Sequence, residues 1–152
     1  MARRHRNSSG QPGFGPSRSV VILGPLSRRI NRFVLRVAGR PHTGPIAKIH
    51  HRGRRSGRAH VAPVMARPTD DQFLVPLFFG AGADWCRNVL AAGECQIEWH
   101  GAIRRMRNPR VLGTAAVQDQ VRATFPLHER LVLRIAGINE FLIANSEPAG
   151  TA

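Results

Sequence analysis

The first 69 residues of this chain contain no acidic side chain. Fifteen basic residues stand there unopposed, whereas from Asp70 onward eight basic residues meet nine acidic ones. Lysine occurs once, at Lys48, so the formal charge of +14 is almost wholly arginine. Tyrosine is absent. The only cysteines, Cys86 and Cys95, form neither a CxxC nor a zinc spacing, and with no signal peptide to argue for an oxidising compartment they read as free thiols. Long apolar runs are missing too. Val20–Leu23 is too short for a signal-peptide core and far too short to cross a bilayer. The expectation is a cytoplasmic protein. There is no HExxH, so a metal site is not expected, and the GRRSG run is not the GxSxG of a hydrolase.

What is present is an arginine-rich first half on a chain of one-domain length, 152 residues. Such a half implies a polyanionic partner: nucleic acid, an anionic membrane surface, or a multiply charged small molecule. The basic positions lack the interleaved aromatics of a base-stacking platform, and no helix-turn-helix signature is visible, so nucleic acid is not expected. Residues 1–19 are rich in Arg, Gly, Ser and Pro with one large apolar group, Phe14, and read as a disordered basic tail. Residues 20–148 read as the folded domain.

Within that domain, Leu26, Ile30, Phe33, Val34 and Val37 recur at helical spacing over Pro25–Ala38. Arg28, Arg29, Arg32 and Arg36 fall on the other face. A helix of this kind packs its stripe on a core or lies on an anionic membrane, and both readings stay open. Strands are then expected over Pro45–Arg52, Arg58–Arg67 and Gln72–Phe79. Asp84 is read as the N-cap of a short helix through Ala92, closed by Gly93. Glu94–His100 alternates, with Cys95, Ile97 and Trp99 inward. His100-Gly101 turns the chain into Ala102–Leu112, where Pro109 marks a bulge or edge. Residues 114–136 read as helical with a break at Pro126, and Ile138–Ala144 as a last strand. Five or six strands with short helices point to a mainly β, small antiparallel barrel.

The Gly53-Arg54-Arg55-Ser56-Gly57 corner joins the first two strands. Glycines at both ends permit positive φ, and two guanidinium groups with a hydroxyl make a seat for phosphate or carboxylate. A solvated basic hairpin is the plainer alternative. The loop Gly80-Ala81-Gly82-Ala83 and the helix after it bring N–H groups and a positive dipole end toward the same ligand. On strands, His50 and His60 could face each other across the hairpin and give a substrate a proton, but a surface or tip-supporting histidine is the favoured reading.

In their order these pieces resemble the deazaflavin (coenzyme F-420)-dependent nitroreductase and quinone reductase family, whose fold is the split β-barrel of the flavin-reductase type. The resemblance rests on INRFVLRVAGR, on HHRGRRSG with a strand carrying Pro63, on ADWCRNVLAAG, and on the hairpin IEWHGAIRRMRNPRVL. It covers about Pro25 to Leu112. It implies a reductase that passes a hydride from reduced coenzyme F-420 to an organic acceptor such as a quinone, a nitroaromatic or an enone. FMN is the second-choice cofactor. The long anionic tail of F-420 suits the arginine-rich half.

Carried over residue by residue, the resemblance implies that Arg54, Arg55, Ser56 and Gly57 hold the phosphate and tail. Pro63, Val64 and Met65 line the ring, and Phe79, Gly80 and Ala81 let main chain approach the cofactor. Trp85 and Asn88, at i and i+3, anchor their helix against loop and cofactor. No catalytic residue is assigned. Related enzymes surround their acceptor with tyrosines, which this chain lacks, so its acceptor pocket is expected from Phe125, His128, Trp99 or Phe141. A homodimer and a peripheral place on the inner face of the membrane are further expectations. A non-catalytic cofactor- or lipid-binding barrel is the alternative.

Overall fold

A computed structural model describes residues 44–148. The expected basic tail and the helix expected over Pro25–Ala38 lie outside the described residues. In chain order the elements are β1 (Ile46–Arg52), β2 (Ala59–Met65), β3 (Arg67–Pro68) and β4 (Gln72–Pro76), then α1 (Asp84–Ala92). After these come β5 (Glu94–Trp99), β6 (Ala102–Gly113), α2 (Thr114–Thr124), α3 (Leu127–Ile135) and β7 (Glu140–Ser146).

All strand pairs are antiparallel, in the order β2-β1-β5-β6-β7-β4-β3. Although four strands separate β2 from β4 in that order, the two touch, so the sheet curls into a half-barrel. This is the mainly β split barrel expected from the sequence. The barrel interior holds Ile49, Phe73, Val75, Ile97, Met106 and Leu142, with Cys86 and Val89 of α1 plugging one side. A second cluster lies on the outer face of β4 and β7, where Leu74, Phe141 and Ile143 meet Val117 and Leu133 of the two later helices and Phe125 between them. Being covered on both faces, β4 and β7 read as continuous apolar runs. Strand β5 alternates instead, with Cys95, Ile97 and Trp99 buried as expected.

Two turns explain local sequence. His100 (φ 47°) and Gly101 (φ 83°) are both left-handed, the signature of a two-residue type I′ hairpin that matches strand twist. In β6 the register shifts between Arg107 and Arg110, with Asn108 at φ 52°, so Pro109 does sit at a bulge. The helical stretch breaks at Pro126 as expected.

Several boundaries differ from the sequence reading. The second strand stops at Met65, one last in-register bond running from the Ala66 N–H to the Pro45 carbonyl (2.7 Å), and Arg67–Pro68 leaves to pair with β4. The third strand ends at Pro76, opposite Phe141, where its partner β7 nears its own start. Phe78 and Phe79 therefore lie in a turn, 42% and 61% exposed, rather than in a strand. The last strand is displaced to Glu140–Ser146. The N-cap of α1 is Ala83, without a side-chain cap. Asp84 is the first helical residue, its carboxylate drawn to Arg54 instead (3.2 Å).

Candidate functional site

The β1–β2 hairpin closes over residues 53–58. The Gly53 N–H donates to the Arg58 carbonyl (2.8 Å) and the Gly57 N–H to the Gly53 carbonyl (2.9 Å). Gly57 needs its left-handed φ of 66°, but Gly53 does not have one. Gly53 is required for space: a Cβ there would stand 2.5 Å from Ser56 Oγ and 3.3 Å from His60 Nε2. Ser56 Oγ accepts from the Arg58 N–H (3.3 Å), a turn-stabilising hydroxyl.

Helix α1 is wired to this tip. Asn88 is buried, and its Oδ1 accepts from both the Arg54 N–H (3.1 Å) and Arg54 Nη1 (2.8 Å). Its amide nitrogen sits 3.3 Å from His51 Nδ1. Arg54 Nη2 reaches Asp84, so one guanidinium spans from hairpin to helix start. Arg55 has no such tie and projects exposed at the tip. The start of α1, which Arg54 reaches at Asp84, presents first-turn N–H groups that a helix does not pair internally.

Between tip and helix lies a cleft of about 510 Å³ that takes in Arg54, Arg55, Ser56, Trp85 and Asn88. A smaller pocket of about 270 Å³ takes in Pro63, Val64, Met65, Phe79 and Gly80, again with Trp85. Trp85 is thus a common wall, and β2 runs past both, with Val61 in the first and Pro63 in the second. The first is lined mainly by charged and polar residues, the second by apolar ones. Ten of the twelve residues named from the sequence line one or the other. Gly57 lies at the exposed tip outside the linings, and Ala81 packs against the barrel core.

The histidines are arranged differently from the expectation. The register pairs His51, not His50, with His60, because the tip loop runs from Arg52 to Ala59. Their rings stack at 5.6 Å between centroids, and both line the larger cleft. Burial holds the His51 pKa below its ordinary value, and the neighbouring His60 and His50 charges push the same way against a hydrogen bond at Arg52. His50 turns away to Glu98 (3.1 Å), which Lys48 also approaches (3.4 Å). Sequence reading named His60 but missed His51 as its partner in the cleft. Counting outward from Gly53 and Gly57 pairs His50 with His60; the observed register arises because Gly53 pairs with Arg58 instead.

The residues expected around an acceptor are elsewhere. Phe125 and Phe141 are 2% and 1% exposed in the cluster under α2 and α3, and Trp99 is buried in the barrel core. Their rings are spent on packing. His128 is exposed in the first turn of α3. The aromatic groups that do stand open beside the apolar pocket are Phe78 and Phe79.

Both thiols are buried, with Cys86 pushed up to about 11 and Cys95 to about 12, burial being the main cause for each. Neither serves as a nucleophile at neutral pH. Among the described residues no group of His, Cys, Asp and Glu is placed to hold a metal ion, and no helix is long and apolar enough to cross a membrane.

Comparison with known proteins adds three findings. A family model described as F420H(2)-dependent quinone reductase matches residues 26–127. No curated protein matches. Among solved structures, one described as a domain-swapped dimer is 15% identical with a TM-score of 0.50, over 84% of this chain and 99% of that one. Another, described as an F420-H2 dependent reductase, is 17% identical with a TM-score of 0.47, over 66% of this chain and 93% of the other. The first of these likenesses supports the fold described above.

Proposed function

The chain belongs to the F420H(2)-dependent quinone reductase family, and from that premise we propose that its two adjoining pockets divide one cofactor between them. The cleft at Arg54, Arg55, Ser56 and Asn88 takes the phosphate and acidic tail of coenzyme F-420. The apolar pocket at Pro63, Val64, Met65, Phe79 and Gly80 takes the ring. The observation that carries this reading is the contrast between the residues of the linings, with Arg54, Arg55, Ser56 and Asn88 on one side of Trp85 and only apolar residues and glycine on the other. The donor set fits a polyanion with an apolar head.

When bound in its reduced form, the deazaflavin supplies a hydride to an organic acceptor. The chain does the rest. Asn88 holds Arg54 in place before any ligand arrives, so less ordering entropy is lost on binding. Arg55 contributes an uncommitted, bidentate cation. Pro63, Val64 and Met65 present an apolar surface that keeps water from the ring. Phe78 and Phe79, at the mouth of that pocket, are the nearest surface for a flat acceptor such as a quinone, a nitroaromatic or an enone. His51 and His60 are the titratable pair closest to the tip. Gly57 contributes through the backbone conformation of the tip, and Ala81 by letting the loop pack closely on the core.

A homodimer is part of the proposal, and the domain-swapped dimer named for the structural neighbour supports it. An association with the inner face of a membrane would rest on Arg28, Arg29, Arg32 and Arg36, outside the described residues.

Fluorescence titration with coenzyme F-420, with FMN in parallel, tests the reading. The Arg55→Ala, Ser56→Ala double variant is expected to bind F-420 about tenfold or more weakly, the loss of a charge-assisted contact, with its thermal midpoint nearly unchanged. Unaltered affinity in the folded double variant would remove the tip from the site. Binding of FMN alone would keep the barrel and change the cofactor.

A further inference from the structure

A second concavity, of about 480 Å³, opens between α2 and α3 on the far side of the outer core cluster. Its floor is apolar, made by Val121, Leu133 and Phe141, and Leu127 and Leu131 form a wall. Leu127 is 73% exposed and Leu131 53%, while Ile135 continues the stripe one turn on. Around the opening stand three arginines: Arg122 from α2, and Arg130 and Arg134 from α3. Among the described residues none of the three guanidinium groups has an ion-pair or hydrogen-bond partner. Arg130 Nε is fully buried yet unsatisfied. No carboxylate lines the groove, since Glu129 of the same helix turns inward to Arg67.

Two separate costs therefore coincide. Apolar surface is left in water, and a desolvated N–H lacks an acceptor. An anion carrying an apolar chain complements both the apolar lining and the three unpaired rim arginines. We propose that the α2–α3 groove binds a single-chain anionic amphiphile, a fatty-acid-like carboxylate. Its chain lies on Val121, Leu133 and Phe141, and its head is held by Arg130 with Arg122 or Arg134. The volume lies within the range of small-molecule sites, roughly 300–1,000 Å³.

Charge complementarity separates this occupant from the others. Residues 1–43 of the chain carry nine arginines and no acid, the same sign as the rim. A second copy meeting the groove about a two-fold axis would bring the same three arginines together. The hollow is concave, which suits one chain rather than a bilayer surface.

Calorimetric titration of the full-length protein with decanoate below its micellar concentration tests the proposal, with 1-decanol as the uncharged counterpart. Saturable one-to-one decanoate binding is expected, weakened about tenfold by loss of a charge-assisted bond in Arg130→Gln. It is also expected to weaken in Leu131→Glu, a substitution at an exposed position that leaves the fold intact. F-420 affinity should be unchanged in both variants, so a failure here is distinct from a failure at the hairpin tip. No saturable binding, or equal binding by both variants and wild type, overturns the proposal. So does decanoate binding that disappears in Arg55→Ala, which would place it at the tip. Retention only on phosphatidylglycerol vesicles, without decanoate binding, would replace the groove site with a membrane-facing surface.

Discussion

Asn88 on α1 and Glu129 on α3 are both buried, and each meets an arginine from the strands or their hairpin. The two arginines end in different states. Arg67 is held in a fork by Glu129, with Nε to Oε2 at 3.0 Å and the second arm closer still, so its charge is cancelled inside the protein. It also lies over the Trp99 ring, 5.8 Å from the centroid. Arg54 is held by a neutral amide, and among the described residues its only carboxylate contact is the largely exposed Asp84. A neutral clamp fixes a guanidinium while leaving most of its positive field for a ligand. A buried carboxylate turns the same side chain into a strut.

Breaking the strut should have the largest effect. Glu129→Ala is expected to cost about 3–5 kcal/mol, because it strands Arg67 against the core. Urea denaturation would show this as a lower midpoint, and a double Glu129→Ala, Arg67→Met variant should recover much of the loss. Equal stability of the single variant and wild type would mean that water solvates Arg67 freely. Removing the clamp should cost less stability and more function. Asn88→Ala is expected to lose about 1–3 kcal/mol and to weaken F-420 binding about tenfold, since Arg54 is no longer pre-set. Asn88→Asp sharpens the comparison: it keeps the clamp but cancels the charge. It should lose cofactor affinity with little loss of melting temperature.

Acid should affect the clamp region before other groups. His51, whose folded pKa lies below the ordinary 6.5, leaves the unfolded chain binding more protons as pH falls through that value. Stability is thus full above about 6.5 and declines below it. Thermal midpoints at pH 7.5 and 5.5 should differ less in His51→Gln than in wild type. Glu98 adds a later loss. Despite partial burial, which opposes ionisation, His50 and Lys48 hold its pKa below 4.5, so its contribution is present above that pH and fades beneath it. The smallest expected effect is chemical: iodoacetamide at pH 7 should leave Cys86 and Cys95 unmodified in the folded protein, whereas denatured chain reacts at both.

Element order, the barrel class and ten of the residues that line the two pockets were legible in the sequence, because glycines, prolines and alternation mark turns and faces directly. The hairpin register was not. Strand periodicity is two, so a one-residue slip exchanges His50 for His51, and only the tip geometry decides between them. Asp84 looked like a cap because Asp favours that position, but an arginine thirty residues away competes for its carboxylate. Phe125 and Phe141 looked available as aromatic surface. Their burial depends on α2 and α3 folding back over β4 and β7, a long-range event that no local pattern encodes.

Trp85 separates the two proposed halves of the cofactor site, and the only other tryptophan, Trp99, is buried and stacked on His100 with ring centroids 4.0 Å apart. The molecule thus carries its own optical probe. Indole emission from position 85 should respond to filling of either pocket, while position 99 supplies a steady background. A Trp85→Phe variant would silence the signal, so occupancy can be followed without labelling the protein or relying on turnover.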